Sequence, residues 1–171
     1  TSQGGRSSAQ KSERKEVVGD VILKGKRQFW GVPNMHYHQG MQAGANTLNA
    51  HCARLLMRCL NDNNGLYDRD RFLQAYVDFM TADEPQHPDT YAESYHRGFF
   101  ANWAAGSAPE HCAAVTHDTA SIGGLVMIGP LAISELLRGV DVATVAEHCQ
   151  QHLALTHPDK SLAQICSQYV Y

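Results

Sequence analysis

The most constraining feature of this sequence is a repeat of apolar residues at steps of three and four positions that begins after residue 46. This spacing places the apolar side chains on one face of an α-helix, and the run ends at NDNNG, whose Gly65 suits a left-handed turn. Its members are Leu48, Cys52, Leu55, Leu56, Cys59 and Leu60. Helical spacing recurs later in the chain, and no stretch of any length after residue 30 alternates with period two. The sequence therefore predicts an all-α fold.

Five later segments carry helical patterns of their own. One over 68–80 ends at the prolines of ADEPQHPD, and an aromatic one begins at DTYAE, where Thr90 and Glu93 have capping-box spacing. The segment HDTASIGGLVMIGPLAISELLRG is apolar nearly all round, which predicts a helix buried at the centre of the protein. Two more helices are predicted over 142–156 and after Asp159, which would cap the last one.

The two ends of the amino-terminal region give different expectations. TSQGGRSSAQKSERKE has no apolar period, so we expect a disordered polar tail at 1–16 and a single helical domain at 17–171. Residues 17–35 contain short apolar runs with Gly and Pro breaks, which indicate strand-like or irregular structure.

Charge and composition limit the binding partners and the cellular compartment that we expect for this protein. Residues 1–27 hold seven basic residues against three acidic ones, whereas the remainder holds seven against fourteen. The acidic folded part argues against binding to a nucleic acid duplex, and no apolar run approaches the ~20 residues that cross a membrane. Five cysteines without a CxxC favour a reducing, intracellular setting, for which we expect the cytoplasm. Nothing in the sequence indicates an oligomeric state.

Ten histidines raise a zinc hypothesis. His36 and His38 are two positions apart, and His148 and His152 are four apart, a spacing that places two imidazoles on one helix face. Neither pair has a third ligand at a recognisable distance, so surface or hydrogen-bonded histidines are the preferred interpretation. A cysteine nucleophile is disfavoured as well, because two of the cysteines lie on the apolar face of the first helix.

Two short polar stretches stand directly before apolar segments. In GANT, Asn46 suits the N-cap of the first helix, and Thr47 follows it. In HDTASIGG, Asp118 and Ser121 precede a Gly-Gly pair, where small residues let a ligand or another backbone come close. A polar helix start of this kind can hold a phosphate through free amides.

Four segments together resemble the ADP-ribosylglycohydrolase superfamily, in the branch of selenoprotein J and the jellyfish lens J-crystallins. They are GANTLNAHCARLL, DTYAESYHRGFF, HDTASIGGLVMIGPLAI and LALTHPDKSLAQ, in family order. The resemblance implies an orthogonal, all-α multi-helix bundle. Active members cleave the glycosidic bond between ADP-ribose and a protein side chain or a small acceptor, with two magnesium ions held by acidic motifs. ADP-ribose or an ADP-ribosylated substrate is the partner that the resemblance implies.

The resemblance also implies that the metal chemistry is altered. The early Thr-Asp-Asp-Thr motif of the family corresponds to Gly44, Ala45, Asn46 and Thr47, so neither carboxylate of that motif is kept. The late Asp-x-Asp motif of the family lies beyond several further helices, whereas this sequence ends at Tyr171. We therefore expect an amino-terminal to central portion of the fold, without the carboxyl-terminal part.

These observations define one set of candidate residues. Asp118 is the candidate catalytic residue, as a general base or a lone metal ligand, with an N-cap of the following helix as its structural alternative. The candidate magnesium ligands are Asn46, Thr47 and Asp118. The candidate substrate-binding residues are Asn46, Thr47, His117, Ser121, Gly123 and Gly124. The predicted activity is ADP-ribosyl hydrolysis. The alternatives are a non-enzymatic, crystallin-like structural role and a truncated form whose apolar faces lead to association.

Overall fold

The computed structural model describes residues 17–29, 36 and 38–171, and this part of the chain contains helices and no strand. The all-α prediction is confirmed. The expected tail at 1–16 lies outside the described residues. The helices are α1 (Leu48–Asp62), α2 (Arg69–Thr81), α3 (Ser94–Ala104), α4 (Ile128–Leu137), α5 (Val142–Ala154) and α6 (Lys160–Val170), with short helical turns at Val17–Val21, Arg27–Phe29, Pro109–His111 and Ile122–Met127. None of these helices is both long and apolar enough to cross a membrane.

Local sequence signals determine where several helices begin and end. The Asp68 side chain accepts hydrogen bonds from the amides of the first turn of α2, and Asp159 accepts one from Leu162 N at 2.8 Å in α6. The Asp159 cap was predicted. After α1, Gly65 has a φ of +79° and its amide donates to Leu60 O at 2.7 Å, as expected of a left-handed helix stop.

Two segments differ from the predictions. The prediction for 17–35 was strand-like or irregular structure. The strand-like alternative is wrong where the chain is described, because Val17–Val21 and Arg27–Phe29 form helical turns, whereas 22–26 are irregular; residues 30–35 lie outside the described part. The predicted central helix is divided into the 3-10 turn Ile122–Met127 and α4, since the Gly-Gly pair weakens a regular helix there. It is not buried all round either. Its exposed apolar side chains are Ile122, Val126, Ile133, Leu136 and Leu137.

One hydrophobic core joins the elements from Ile22 to Cys166. Within it, α5 packs against α4 and α6, while α1 contacts α2, α4 and the Ile122–Met127 turn. The aromatic stripe of α3 is part of this core and packs onto aromatic residues of α2, with Tyr76 and Phe99 ring centroids 5.1 Å apart. The large buried aromatic side chains are Phe72, Tyr76, Tyr95, Phe99 and Phe100. Because α3 is anchored in this way, the polar segment before it lies over the start of α1.

Candidate functional site

A cavity of about 310 Å³ opens where α1 begins. It lies between the start of α1 and the polar segment that precedes α3. Its lining, which we call the cleft, consists of His38, Thr47, Leu48, Asn49, Asp89, Tyr91 and Glu93. Two carboxylates therefore enter a small depression that also contains amide and hydroxyl groups.

Asp89 closes the amino terminus of α1 from outside the helix. Its Oδ2 accepts from Leu48 N at 2.7 Å, and its Oδ1 lies 2.8 Å from His38 Nδ1 and 3.1 Å from Tyr91 N. The predicted Asn46 cap is wrong, because the N-cap residue is Thr47 and it makes no side-chain capping bond. A buried carboxylate satisfies the free amide and also complements the positive end of the helix.

Glu93 connects the start of α1 with the Gly-Gly pair. Its Oε1 accepts from Asn49 Nδ2 at 2.6 Å, and its Oε2 would lie only 2.8 Å from a Cβ added at Gly123. The predicted capping box of Thr90 and Glu93 is wrong. Glu93 is the N-cap residue of α3 without a capping bond, and Thr90 Oγ1 donates to Gln39 O instead.

The Glu93 carboxyl is half-buried, and its surroundings favour the protonated form. Burial raises the pKa of Glu93, and the charges of Asp118 and Asp89 raise it further. The hydrogen bond from Asn49 and the positive charge of Arg97 oppose this rise in the pKa. A carboxyl with a raised pKa in a cavity is a candidate acid or base.

Asp118 lies close to Glu93 in a more solvated position. Ser94 Oγ donates to Asp118 Oδ2 at 3.0 Å, and His117 Nε2 lies 3.0 Å from the same oxygen. The Asp118 side chain is 47% exposed and that of His117 is 81% exposed. The N-cap alternative for Asp118 is wrong, because Ser121 occupies that position before the Ile122–Met127 turn.

The remaining residues predicted near the Gly-Gly pair have different surroundings. Ser121 Oγ is buried without a hydrogen-bond partner among the described residues, and it lies 3.4 Å from the position of a Cβ at Gly123. Ser121 and Gly123 thus stand beside Glu93. Gly124 is buried instead in the interior, where an added Cβ would lie 2.7 Å from Leu153 Cδ1.

The three residues predicted as magnesium ligands bring one carboxylate, that of Asp118, whose Oδ2 accepts from Ser94 Oγ, and magnesium binding there stays a prediction. Thr47 lines the cleft, and Asn46 is an exposed neighbour of it. Both Asp89 oxygens already accept protein donors, and no group of three or more His, Cys, Asp or Glu side chains in the described residues could hold a metal ion.

The histidine pair on α5 that was weighed for zinc has other partners. His148 Nδ1 lies 2.9 Å from both oxygens of the buried Glu135, whereas His152 Nδ1 lies 2.8 Å from the Tyr67 hydroxyl. The two imidazoles on α5 therefore make separate hydrogen bonds. Burial also raises the pKa of the Cys149 thiol to about 12 and that of the Cys166 thiol to about 11. Neither thiol is therefore an activated nucleophile.

Of the seven cleft residues, only Thr47 was predicted as a site residue, and the missed residues include Asn49, Asp89 and Glu93. The sequence contains a signal for Asp89 and Glu93, because these two acids stand four positions apart in DTYAES, directly before an aromatic helix. Asn49 had no comparable signal, because an Asn in the first turn of a helix is ordinarily read as a solvent-facing residue. Of the predicted residues, Thr47, Asp118, Ser121 and Gly123 lie in or beside the cleft.

Comparisons of this chain with protein-family models, with curated proteins and with solved structures found no match.

Proposed function

We propose that the protein binds an ADP-ribosyl group in the cleft and hydrolyses its glycosidic bond, as the resemblance to the ADP-ribosylglycohydrolases implies. The observation that carries this proposal is the contrast between two neighbouring carboxyls. Glu93 is half-buried with a raised pKa, whereas Asp118 is half-exposed and accepts hydrogen bonds. Two carboxyls in unlike environments divide the acid and base roles of glycoside hydrolysis.

In the proposed reaction, protonated Glu93 is the general acid and Asp118 is the general base. Glu93 transfers its proton to the leaving atom as the bond from C1 of the ribose to that atom breaks. Asp118 removes a proton from water as the water oxygen forms a new bond to C1. The products are ADP-ribose and the free acceptor, and the carboxyls then exchange protons with solvent to restore the starting state.

Polar groups around the two carboxyls fit a ligand with several hydroxyls. Thr47 lines the cleft at the start of α1 and Asp89 lines it in the segment before α3. Ser121 Oγ is buried beside Glu93 without a partner in the described chain. A buried hydroxyl without a partner costs about 1–3 kcal/mol, so an oxygen atom that pairs with it would be stabilised. We assign ribose to this position, without magnesium.

The crystallin-like structural role is the second candidate. The observation that favours it is that the cleft carboxylates already serve the fold, since Asp89 holds the start of α1 and Glu93 accepts from Asn49. In that role the protein would fold fully without binding ADP-ribose. The five cysteines are free, which suits the reducing cytoplasm for either role.

The proposal is tested by calorimetric titration of ADP-ribose into the protein, with and without magnesium. We expect binding in both conditions, and a loss of at least tenfold in affinity in Glu93→Gln, which keeps the shape but removes the carboxyl. Glu84→Gln is the matched control, because Glu84 is exposed and lies outside the cleft. Circular dichroism shows whether each variant is folded.

Hydrolysis is tested with an ADP-ribosylated peptide by measuring the release of ADP-ribose. Asp118→Asn and Glu93→Gln should each lower the rate by 10²-fold or more, the usual contribution of a general acid or base. Absence of binding by the folded wild-type protein would overturn the proposal and favour the structural role. Binding that strictly requires magnesium would contradict the metal-free assignment.

A further inference from the structure

A chain of hydrogen bonds runs from the core to Glu93. The Tyr76 hydroxyl lies 2.5 Å from His96 Nδ1, and His96 Nε2 lies 3.2 Å from Asn49 Oδ1. Asn49 Nδ2 then donates to Glu93 Oε1 at 2.6 Å. Tyr95 adds a second bond, from its hydroxyl to Asn49 Oδ1 at 2.8 Å. Tyr76, Tyr95 and His96 are fully buried, so this chain joins the aromatic core to the cleft.

The donor and acceptor of each hydrogen bond in this chain follow from its buried end, at Tyr76. Among the described residues the Tyr76 hydroxyl has one hydrogen-bond partner, His96 Nδ1, so the hydroxyl proton must be donated there. Burial lowers the pKa of His96, and the neutral ring therefore carries its proton on Nε2. This N–H donates to Asn49 Oδ1, which leaves the Asn49 amide nitrogen to face Glu93. A flipped Asn49 amide would set its NH₂ group against the His96 Nε2–H and its oxygen against the Glu93 carboxylate, which fixes the orientation of the amide.

The charged groups around Glu93 come from three directions. Asp89 lies in the polar segment before α3, Asp118 lies in the loop after Pro109–His111, and Arg97 lies on α3. The two acids disfavour a charged Glu93, whereas Arg97 favours it. The Asn49 amide differs from these charged groups, because it donates a hydrogen bond directly to the Glu93 carboxylate.

We propose that Tyr76, His96 and Asn49 are positioning residues that aim a fixed N–H donor at Glu93 and so set its orientation and proton affinity. The catalytic meaning of this arrangement rests on the proposed function, whereas the chain of hydrogen bonds exists independently of that function. Tyr76 acts from the core without touching the cleft. A hydrogen bond to the charged form of a carboxyl lowers the proton affinity of that carboxyl, so losing the donor must raise it.

The test is a ¹³C NMR titration of the Glu93 carboxyl carbon, assigned by its absence in Glu93→Gln. Asn49→Ala removes the donor, and we expect roughly tenfold tighter proton binding by Glu93. Tyr76→Phe keeps the ring but frees the tautomer of His96, and we expect a smaller change in the same direction. Tyr67→Phe is the matched control, since it removes a tyrosine to histidine bond to His152 that has no link to Glu93.

The outcomes separate this proposal from the proposed function. Tighter proton binding by Glu93 in Asn49→Ala and Tyr76→Phe, with no change in Tyr67→Phe, supports the positioning chain even if ADP-ribose does not bind. An unchanged Glu93 titration in a folded Asn49→Ala overturns it. Equal effects of Tyr76→Phe and Tyr67→Phe also overturn it, because a general loss of stability would then explain both. If Tyr76→Phe fails to fold, Tyr95→Phe, which removes the second donor to Asn49 Oδ1, takes its place with the same expectation.

Discussion

At the scale of single residues, the two adjacent glycines have opposite surroundings. A Cβ at Gly123 would approach Glu93 Oε2 at 2.8 Å, the far end of a flexible side chain. A Cβ at Gly124 would approach Leu153 Cδ1 at 2.7 Å and His157 Cγ at 2.8 Å, both inside the core. One glycine therefore makes room for the cleft, and the other makes room for packing between the Ile122–Met127 turn and α5.

This difference predicts different effects of two alanine substitutions. Gly124→Ala should lower the free energy of unfolding by about 1–3 kcal/mol, because the overpacked core cannot relax freely. Gly123→Ala should cost less stability but weaken ADP-ribose binding, since only the Glu93 carboxyl has to move. Urea denaturation followed by circular dichroism, together with calorimetry, measures both effects. Equal losses of stability in the two variants would contradict the assignment.

At the scale of elements, α1 begins at a carboxylate that lies 41 positions away in the sequence. Asp89 is 1% exposed and holds Leu48 N, whereas Asp141 caps α5 locally from an exposed position through Thr144 N. The local caps at Asp159 and the stop at Gly65 were predictable, because their signals stand next to the helix. The Asp89 cap was not, because it exists only once α3 has packed against α2 and brought its preceding segment over α1.

Replacement of each cap should therefore have a different effect. Asp141→Ala should cause a small loss of stability, because it removes an exposed, local N-cap. Asp89→Ala should cost more, about 2–3 kcal/mol, because it leaves a buried amide unpaired and also removes one partner of His38. Thermal and urea unfolding of the two variants give the comparison. A smaller loss in Asp89→Ala than in Asp141→Ala would show that α1 does not depend on this contact.

At the scale of the whole molecule, the core contains histidines that folding keeps neutral. Burial lowers the pKa of His152 to about 3 and those of His87 and His157 to about 4, from an unfolded value of 6.5. The unfolded chain therefore takes up protons first as the pH falls below 6.5. The stability linked to their neutral form is fully present above that pH. It is lost between pH 6.5 and about 4 for His87 and His157, and between pH 6.5 and about 3 for His152.

This linkage predicts a steep acid sensitivity. Between pH 7 and pH 5, each of the three histidines should lower the free energy of unfolding by about 2 kcal/mol. His87→Phe should make the decline less steep, because Phe replaces a ring that packs at a tilt against Phe79 and whose Nδ1 has no partner in the described chain. Urea denaturation at a series of pH values measures the slope. Parallel curves for the wild type and His87→Phe would contradict this origin of the sensitivity.

The sequence predicted the helical class and most helix positions, because apolar periodicity is set locally. It did not predict the cleft as a whole, because Glu93 acquires its role only through contacts with Asn49 on α1 and with the Gly-Gly pair beyond α3. The same reason explains the mistaken Asn46 cap. The amide of Leu48 donates instead to Asp89, which lies in a distant segment of the chain. Asp118 was selected as the acid of a polar stretch, and its proximity to a second carboxyl could not be read from spacing.

The most direct test of the central proposal is to map ADP-ribose binding by NMR, from shifts of backbone amide signals in the folded protein. We predict the largest shifts at 47–49, 89–93 and 118–123, which form the cleft and its neighbouring loop. The apolar groove of about 730 Å³ that includes Met57, Leu60 and Ile133 should show none. Shifts concentrated in that groove, or no shifts at saturating ligand, would contradict an ADP-ribosyl site built around Glu93.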